Sequence, residues 1–340
     1  MHLALFLPLL SLPLVAFAAP LFSTSHSLSR RQEGSYPAPL PVTGPLSDLQ
    51  DPSVCQTPSG LLFLFASGGG IPIRFSDDGG ASWSDAGEVF LNGPPAEAAA
   101  YLQESKGSSR SLQGPSCTYE NATGEFILFY SATTGVGRNS AIFIATTQDP
   151  LLGEWKDGGL VLSSDSSTDY NAVSPNLVLS PGYPPYLSFE LRMVALDEDT
   201  YKPVSDELIN LAERLNEATI GSPTFFQTDS AFNWYLLSTF DDPSVTSLWP
   251  SQIRMARSSR SLTDPYRAQD GGLMWNGDAT VLLASHDGVK SPASPSVWFS
   301  EAEGKWKLAY QYVDECERYQ IGFNCLDFDE ETGWPFVAGA

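Results

Sequence analysis

Basic side chains are scarce in this sequence of 340 residues, where 18 lysines and arginines stand against 40 aspartates and glutamates. The formal charge of -22 would repel the phosphates of a nucleic acid, which excludes that class of partner. Apolar runs long enough to span a bilayer are also missing, so we expect no membrane partner. Long amphipathic helical patterns are rare, whereas glycine, proline and aromatic residues are abundant. This combination favours an all-β domain with many turns.

The N-terminal segment has the features of a secretory signal. Leu3 to Phe17 is an apolar run, and Ala16-Phe17-Ala18 fits the small-x-small cleavage pattern. A Ser/Thr-rich stretch then ends in Arg30-Arg31, a pair typical of a processing site or simply of two solvated arginines. We therefore divide the chain into a signal peptide (1–18), a candidate propeptide (19–31) and one folded domain (32–340). We expect a secreted, extracellular monomer.

The few cysteines are expected to form disulfides, because the secretory route is oxidising. Cys316 and Cys325 flank a short segment and would staple a hairpin, which leaves Cys55 to pair with Cys117, although four cysteines allow three connectivities. No CxxC motif or Cys/His cluster is present, so neither a metal site nor a cofactor is expected. Asn121-Ala122-Thr123 is an acceptor sequence for N-glycosylation on an exposed turn.

A proline-marked string recurs along the chain and is followed each time by a turn signal and an aromatic-rich strand. The five copies are DPSV at Asp51, GPSC at Gly114, SPNL at Ser174, SPTF at Ser222 and SPSV at Ser294. The spacing of roughly 50 to 70 residues is of the order of a propeller blade. Proline suits the start of an innermost strand, because its missing N–H need not enter a ladder. The repeat predicts a five-bladed β-propeller, and a β-sandwich with chance Ser-Pro turns is the alternative.

In a propeller the first strand of every blade lines the central channel. The side chains beside the five prolines should therefore converge on one axial site, although they are far apart in sequence. Side chains at such a site would decide what chemistry the protein can perform.

Several longer segments resemble glycoside hydrolase family 43, specifically its endo-arabinanase branch. The resemblance covers nearly the whole mature chain and is carried by DPSV with IPIRFSDDGGASWSDAGEVF, by GEFILFYSATTGVGRNSAIFIATT, WKDGGLVL and DYNAVSPNLV, and by SRSLTDPYRAQDGG and GWP. It implies a five-bladed propeller that hydrolyses arabinofuranosyl or xylosyl links with inversion at the anomeric carbon. Such a reaction needs a carboxylate base and a carboxylic acid about 6.5–9.5 Å apart, with room for water between them.

Only one of the family's catalytic carboxylates has a matching residue in this sequence. The resemblance assigns Asp51 as the general base, with a turn-capping aspartate as the alternative. The other positions depart from the family pattern: Ser174 replaces the aspartate that tunes the acid, Gly221 before Ser222 replaces the acid itself, Ser116 replaces an aspartate, and Ser294 replaces a histidine that helps to hold an axial ion. Blade three is also shortened between Phe189 and Leu191.

Two glutamates are candidates for a relocated acid. Glu217 lies four residues before the expected acid position, and Glu190 is predicted on the inner strand of blade three, with a solvated or structural glutamate as the alternative for both. No motif supports a Ser/His/Asp triad around His286.

Polar and aromatic side chains near the predicted axis are expected to contact sugar. These substrate-binding candidates are Ser174, Asn176, Tyr170, Phe189, Trp249, Trp275 and Ser294. Ser76 to Trp83, SDDGGASW, also matches the Asp-box turn of sialidase propellers, whose role is structural. A single copy is weak evidence for sialidase kinship.

The sequence therefore predicts a family-43-like propeller that acts on or binds arabinofuranosyl or xylosyl plant cell-wall polysaccharide, with weak or lost hydrolytic activity. The alternative is an active inverting arabinanase or arabinofuranosidase, with Asp51 as base and Glu217 or Glu190 as acid.

Overall fold

The structure is a computed structural model that describes residues 36–104, 111–134, 137–212, 220–228, 233–241 and 249–339. The predicted signal and processing segments lie outside these residues. Within them, no helix is long and apolar enough to cross a membrane. The one α-helix among the described residues, α1 (Ala96–Glu104), lies between the first two blades in the chain.

Five four-stranded antiparallel sheets follow one another along the chain, each with its strands in sequence order. Blade one contains β1 (Ser53–Gln56), β2 (Leu62–Phe65), β3 (Pro72–Ser76) and β4 (Ser84–Glu88). Blade two contains β5 (Gln113–Glu120), β6 (Glu125–Thr133), β7 (Ser140–Thr147) and β8 (Lys156–Ser164). Blade three contains β9 (Asn176–Val178), β10 (Tyr186–Phe189), β11 (Arg192–Ala195) and β12 (Ile209–Asn210). Blade four contains β13 (Ile220–Gln227), β14 (Trp234–Asp241), β15 (Ser251–Ser258) and β16 (Thr280–Leu283), and blade five contains β17 (Lys290–Ser300), β18 (Lys305–Val313), β19 (Tyr319–Phe328) and β20 (Pro335–Ala338). The five-bladed propeller is confirmed.

The blades stack because both faces of their second strands are apolar. Side chains of a strand point alternately to its two faces. In β2, Phe63 and Phe65 join a buried cluster with blade two, while Leu62 and Leu64 join a cluster with blade five. Each of the five buried clusters fills one interface between neighbouring blades. The aromatic-rich strands of the repeat are therefore what closes the ring.

The disulfide prediction is half confirmed. Cys55 in β1 and Cys117 in β5 form a disulfide that joins blades one and two, with their Cα atoms 5.8 Å apart. Cys316 is a free, exposed thiol in the β18–β19 turn, and Cys325 is a free, buried thiol within β19. The strand from Tyr319 to Cys325 spans about 20 Å, far beyond disulfide reach. The predicted Cys316–Cys325 staple is therefore wrong.

The SDDGGASW segment forms the turn between β3 and β4. Asp78 accepts hydrogen bonds from the Ser76 and Ser82 hydroxyls, at 2.8 and 2.5 Å, and from the Ser82 backbone N–H. These bonds, led by the Ser82 hydroxyl, lower the pKa of Asp78 to about 2. The predicted structural role is confirmed. Asn121 lies exposed in the β5–β6 turn, as expected, and its glycosylation stays a prediction.

Candidate functional site

The residues that precede the five repeat prolines meet at one end of the central channel. They line a solvent-open cavity of about 350 Å³, together with the prolines and the residues that follow them. The pre-proline ring consists of Asp51, Gly114, Ser174, Ser222 and Ser294. The convergence predicted from the repeat is confirmed.

All five residues of the pre-proline ring share one backbone conformation. Their φ angles lie between 50° and 53°, in the left-handed region that residues other than glycine rarely adopt. The register of the first strand slips at this point in blades two, four and five, because proline has no N–H to give to the ladder. A non-glycine residue costs about 1–2 kcal/mol in this conformation. Neighbouring groups must therefore hold it in place.

A side chain within two residues of the end of the preceding blade's second strand supplies that support. It accepts a hydrogen bond from the pre-proline N–H in four of the five blades. The pairs are Asp51 with Gln311 (2.6 Å), Gly114 with Ser67 (3.0 Å), Ser174 with Ser131 (3.1 Å) and Ser294 with Thr239 (2.8 Å). The preceding blade thus holds four of the five ring residues in place. Sequence reasoning missed these partners, although polar residues recur where FLFAS, FYS and LLSTF end.

Asp51 is held by two hydroxyls as well as by its backbone. Ser67 Oγ donates to Oδ2 at 2.6 Å, and Ser294 Oγ donates to Oδ1 at 2.7 Å. Both carboxylate oxygens therefore have partners. Among the described residues that line the channel mouth, Asp51 is the only acid.

A second polar ring lies one step deeper, at the residues that follow the prolines. Ser53 Oγ accepts the Cys117 N–H of the next blade at 2.8 Å, and Ser296 Oγ accepts the Val54 N–H at 2.9 Å. Asn176 Nδ2 reaches Ser116 Oγ at 3.4 Å on the other side. The sequence signal for this ring is the polar third residue of DPS, GPS, SPN, SPT and SPS.

The substrate-binding candidates divide into two groups. Ser174, Asn176 and Ser294 line the channel as expected, and their contact with sugar stays a prediction. Phe189 has no exposed surface, because the alternation of β10 turns it into the interface between blades two and three, where it meets the Tyr170 ring at 5.4 Å. The prediction that Phe189 contacts sugar is wrong.

The other three aromatic candidates remain partly or largely exposed. Tyr170 donates its hydroxyl to the Ser163 carbonyl at 3.1 Å, and partial burial, followed by the nearby Asp169 carboxylate, raises its pKa. Trp249 begins the segment before β15 and meets the Tyr319 ring edge-on at 6.2 Å. Trp275 lies away from the channel, in a 3-10 helix (Met274–Asn276) between β15 and β16, and is 44% exposed.

Glu190 is not among the described residues that line the channel. Glu190 follows β10, the second strand, so its predicted position on the inner strand is wrong. It is 8% exposed, and its Oε2 accepts the Asn171 N–H at 2.7 Å. Glu217 lies outside the described residues. Gly221, which stands at the family's acid position, accepts the Ser238 hydroxyl with its carbonyl at 2.5 Å.

No group of three histidine, cysteine or acidic side chains that could hold a metal ion occurs within the described ranges. The channel chemistry that the structure displays therefore consists of one carboxylate, several hydroxyls and one amide.

Comparison with known proteins gives consistent relatives. The chain is 27% identical over 304 residues to a probable arabinan endo-1,5-alpha-L-arabinosidase C of Aspergillus niger, which covers 85% of this chain and 91% of that protein. It is 32% identical over 229 residues to the extracellular endo-alpha-(1->5)-L-arabinanase 1 of Bacillus subtilis, covering 65% and 67%. No family model matches the chain.

The fold comparison agrees with these relatives. A family 43 endo-arabinanase from Bacillus licheniformis superposes with a TM-score of 0.75 at 28% identity, over 87% of this chain and 99% of that one. A Cellvibrio cellulosa alpha-L-arabinanase complexed with arabinohexaose shares the fold at 23% identity and a TM-score of 0.76, over 86% and 96%. The axial ring of proline-flanked residues and these relatives lead to one conclusion: the chain belongs to glycoside hydrolase family 43, among the endo-arabinanases.

Proposed function

We propose that this protein is a secreted binder of arabinofuranosyl or xylosyl plant cell-wall polysaccharide, and that it hydrolyses its ligand weakly or not at all. The observation that carries the proposal is the lone carboxylate of the channel mouth. Asp51 is the only acid among the described lining residues, and hydroxyls or a bare backbone occupy the other pre-proline positions.

Inverting hydrolysis of a glycosidic bond needs a second carboxyl group. The base activates a water on one side of the sugar, while the acid protonates the leaving oxygen on the other. A serine hydroxyl cannot supply that proton near neutral pH, and it also cannot provide the charge that tunes an acid. Ser174 and Gly221 therefore support binding without efficient cleavage.

The same site is suited to binding a neutral sugar chain. Its hydroxyls, amide and carboxylate match the donors and acceptors of sugar hydroxyl groups, and its mouth is open to solvent. Curated relatives of this chain are named for arabinan, and a structural neighbour holds arabinohexaose. The apolar N-terminus and the extracellular Bacillus subtilis relative support secretion.

An active hydrolase is the second candidate, and the orientation of Asp51 favours it. Both oxygens of this carboxylate are fixed by hydroxyls beside the channel, which is the kind of preorganisation that a general base requires. Glu217 or Glu190 would then have to serve as the acid.

The test measures cleavage and binding on the same mature protein. Linear arabinan, arabinoxylan and aryl arabinofuranosides are incubated with wild type and with Asp51→Ala, and released reducing sugar is quantified. We expect no turnover above the Asp51→Ala control, together with calorimetric binding of at least one oligosaccharide. Turnover that Asp51→Ala abolishes would overturn the proposal, and Glu217→Gln and Glu190→Gln would then locate the acid.

A further inference from the structure

Blade three is unusually short on the face of the propeller where the pre-proline ring lies. Antiparallel pairing places the connection between second and third strands on this face in every blade. Only Glu190 and Leu191 join β10 to β11, whereas five to nine residues make the same connection elsewhere, as in 314–318 and 242–250. The β10–β11 connection of blade three is therefore the shortest of the five.

A hydrogen-bonded set of side chains lies beside this short turn. Arg192 donates to the Asn210 side-chain oxygen and, through Nη2, to Asp169 Oδ2 at 3.1 Å. Trp275 of blade four donates its Nε1–H to the Asn210 carbonyl at 2.8 Å. We call these four residues, Asp169, Arg192, Asn210 and Trp275, the blade-three shelf.

Strand register places Arg192 and Asn210 at the end of blade three where the pre-proline ring lies, and the bond from Trp275 to the Asn210 carbonyl brings the indole beside them. Arg192 pairs with Phe189 at the end of β10 and with Asn210 in β12, while Ser188 pairs with Asn176 at the start of β9. Asp169 lies on the segment that leads into Ser174. The shelf thus extends outward from the pre-proline ring across blade three to the edge of blade four.

Trp275 is exposed in a way that core packing does not explain. It is the one described tryptophan whose exposure exceeds a third, at 44%, whereas Trp83, Trp234 and Trp298 are at most 8% exposed. Its neighbour Met274 fills the core instead, at 1% exposure. The bond to Asn210 fixes the indole ring, so little side-chain freedom would be lost when a ligand covers it.

We infer that the blade-three shelf is a distal sugar subsite, which binds a unit of the same polysaccharide beyond the channel; this inference rests on the proposed function. The Trp275 ring offers an apolar platform for one face of a sugar ring. Asp169, whose side chain is 80% exposed, offers carboxylate oxygens to the hydroxyls at the sugar's edge.

The charges of the shelf select a neutral sugar. Arg192 already faces the Asp169 carboxylate, so no unmatched positive charge is left for a uronic acid. The formal charge of -22 would further repel an anionic chain. A neutral pentose polymer is the ligand class that fits both the apolar Trp275 ring and the negative net charge of the protein.

The experiment compares a short and a long ligand on wild type, on three variants of exposed aromatic residues and on the channel variant Ser174→Trp. Calorimetry with arabinotriose and arabinohexaose is performed on Trp275→Ala, on Trp275→Phe and on Tyr183→Ala. Tyr183 is the matched control, because it is 39% exposed but lies between β9 and β10, on the opposite face of the same blade. Thermal melting confirms that each variant is folded.

We expect Trp275→Ala to weaken arabinohexaose binding about fivefold to tenfold, to leave arabinotriose unchanged, and to be largely rescued by Trp275→Phe. Tyr183→Ala should bind both ligands like wild type. The shelf would be overturned, and the proposed function left standing, if Trp275→Ala weakened the binding of both ligands equally. The same conclusion would follow if Trp275→Ala bound arabinohexaose like wild type while the channel variant Ser174→Trp did not bind it. Absence of any binding by wild type would overturn both.

Discussion

Restoring a carboxylic acid at position 221 should restore hydrolysis. Among the described residues, no heavy atom lies within 4 Å of a Cβ atom added to Gly221. The φ of this residue also lies outside the left-handed region, so a glutamate can adopt the existing backbone. Removing a glycine from a strand interior is stabilising by about 0.5–1 kcal/mol. Gly221→Glu is therefore expected to fold at least as well as wild type.

The expected gain in rate follows from the role of the missing group. A positioned general acid contributes about 10²–10⁴-fold, which corresponds to about 3–5 kcal/mol of transition-state stabilisation. We expect Gly221→Glu to release reducing ends from linear arabinan at least about 100-fold faster than wild type. Adding Ser174→Asp should increase the rate further, because its carboxylate raises the pKa of the new acid.

The choice of substrate separates acid catalysis from other effects. A dinitrophenyl arabinobioside has a leaving group that departs without a proton, so Gly221→Glu should change its hydrolysis little. Gly221→Gln is the matched control, since it fills the same space and donates no acidic proton. The reasoning is refuted if Gly221→Glu and Gly221→Gln hydrolyse arabinan at the same rate. It is also refuted if the folded double variant of Gly221→Glu and Ser174→Asp binds arabinohexaose but does not cleave it.

Two further predictions concern the scaffold. Hydrogen bonds lower the pKa of Asp78 from 3.8 to about 2, so the ionised carboxylate stabilises the fold above about pH 4 and this stabilisation is lost as the pH falls through 2. The melting-temperature difference between wild type and Asp78→Ala should therefore shrink from pH 5 to pH 2. A constant difference would contradict the assignment. Titration of thiols with Ellman's reagent should find one reactive cysteine, Cys316, in the native protein. It should find two after unfolding without reductant, because Cys325 then becomes exposed. If no thiol reacts in either state, Cys316 and Cys325 are joined in a disulfide after all.

The sequence was sufficient for the ring because its signal is local and repeated. Each X-Pro-polar string carries a backbone constraint that acts within three residues, so five copies predicted five inner strands and their convergence. Phe189 and Glu190 could not be placed this way, since their orientation depends on the register between β10 and β11 and on the length of one turn. The Cys316–Cys325 staple failed for a related reason: proximity in sequence gives no information on distance along an extended strand.

The support of the pre-proline ring also shows why the propeller tolerates a change of chemistry at its centre. The proline that follows each axial residue and, in four blades, an acceptor side chain of the preceding blade act on its backbone and not on its side chain. The side chain at these positions can consequently change while the backbone that carries it keeps its conformation. An aspartate can be exchanged for a serine there, and catalytic activity lost or regained, without a change in the packing of the blades.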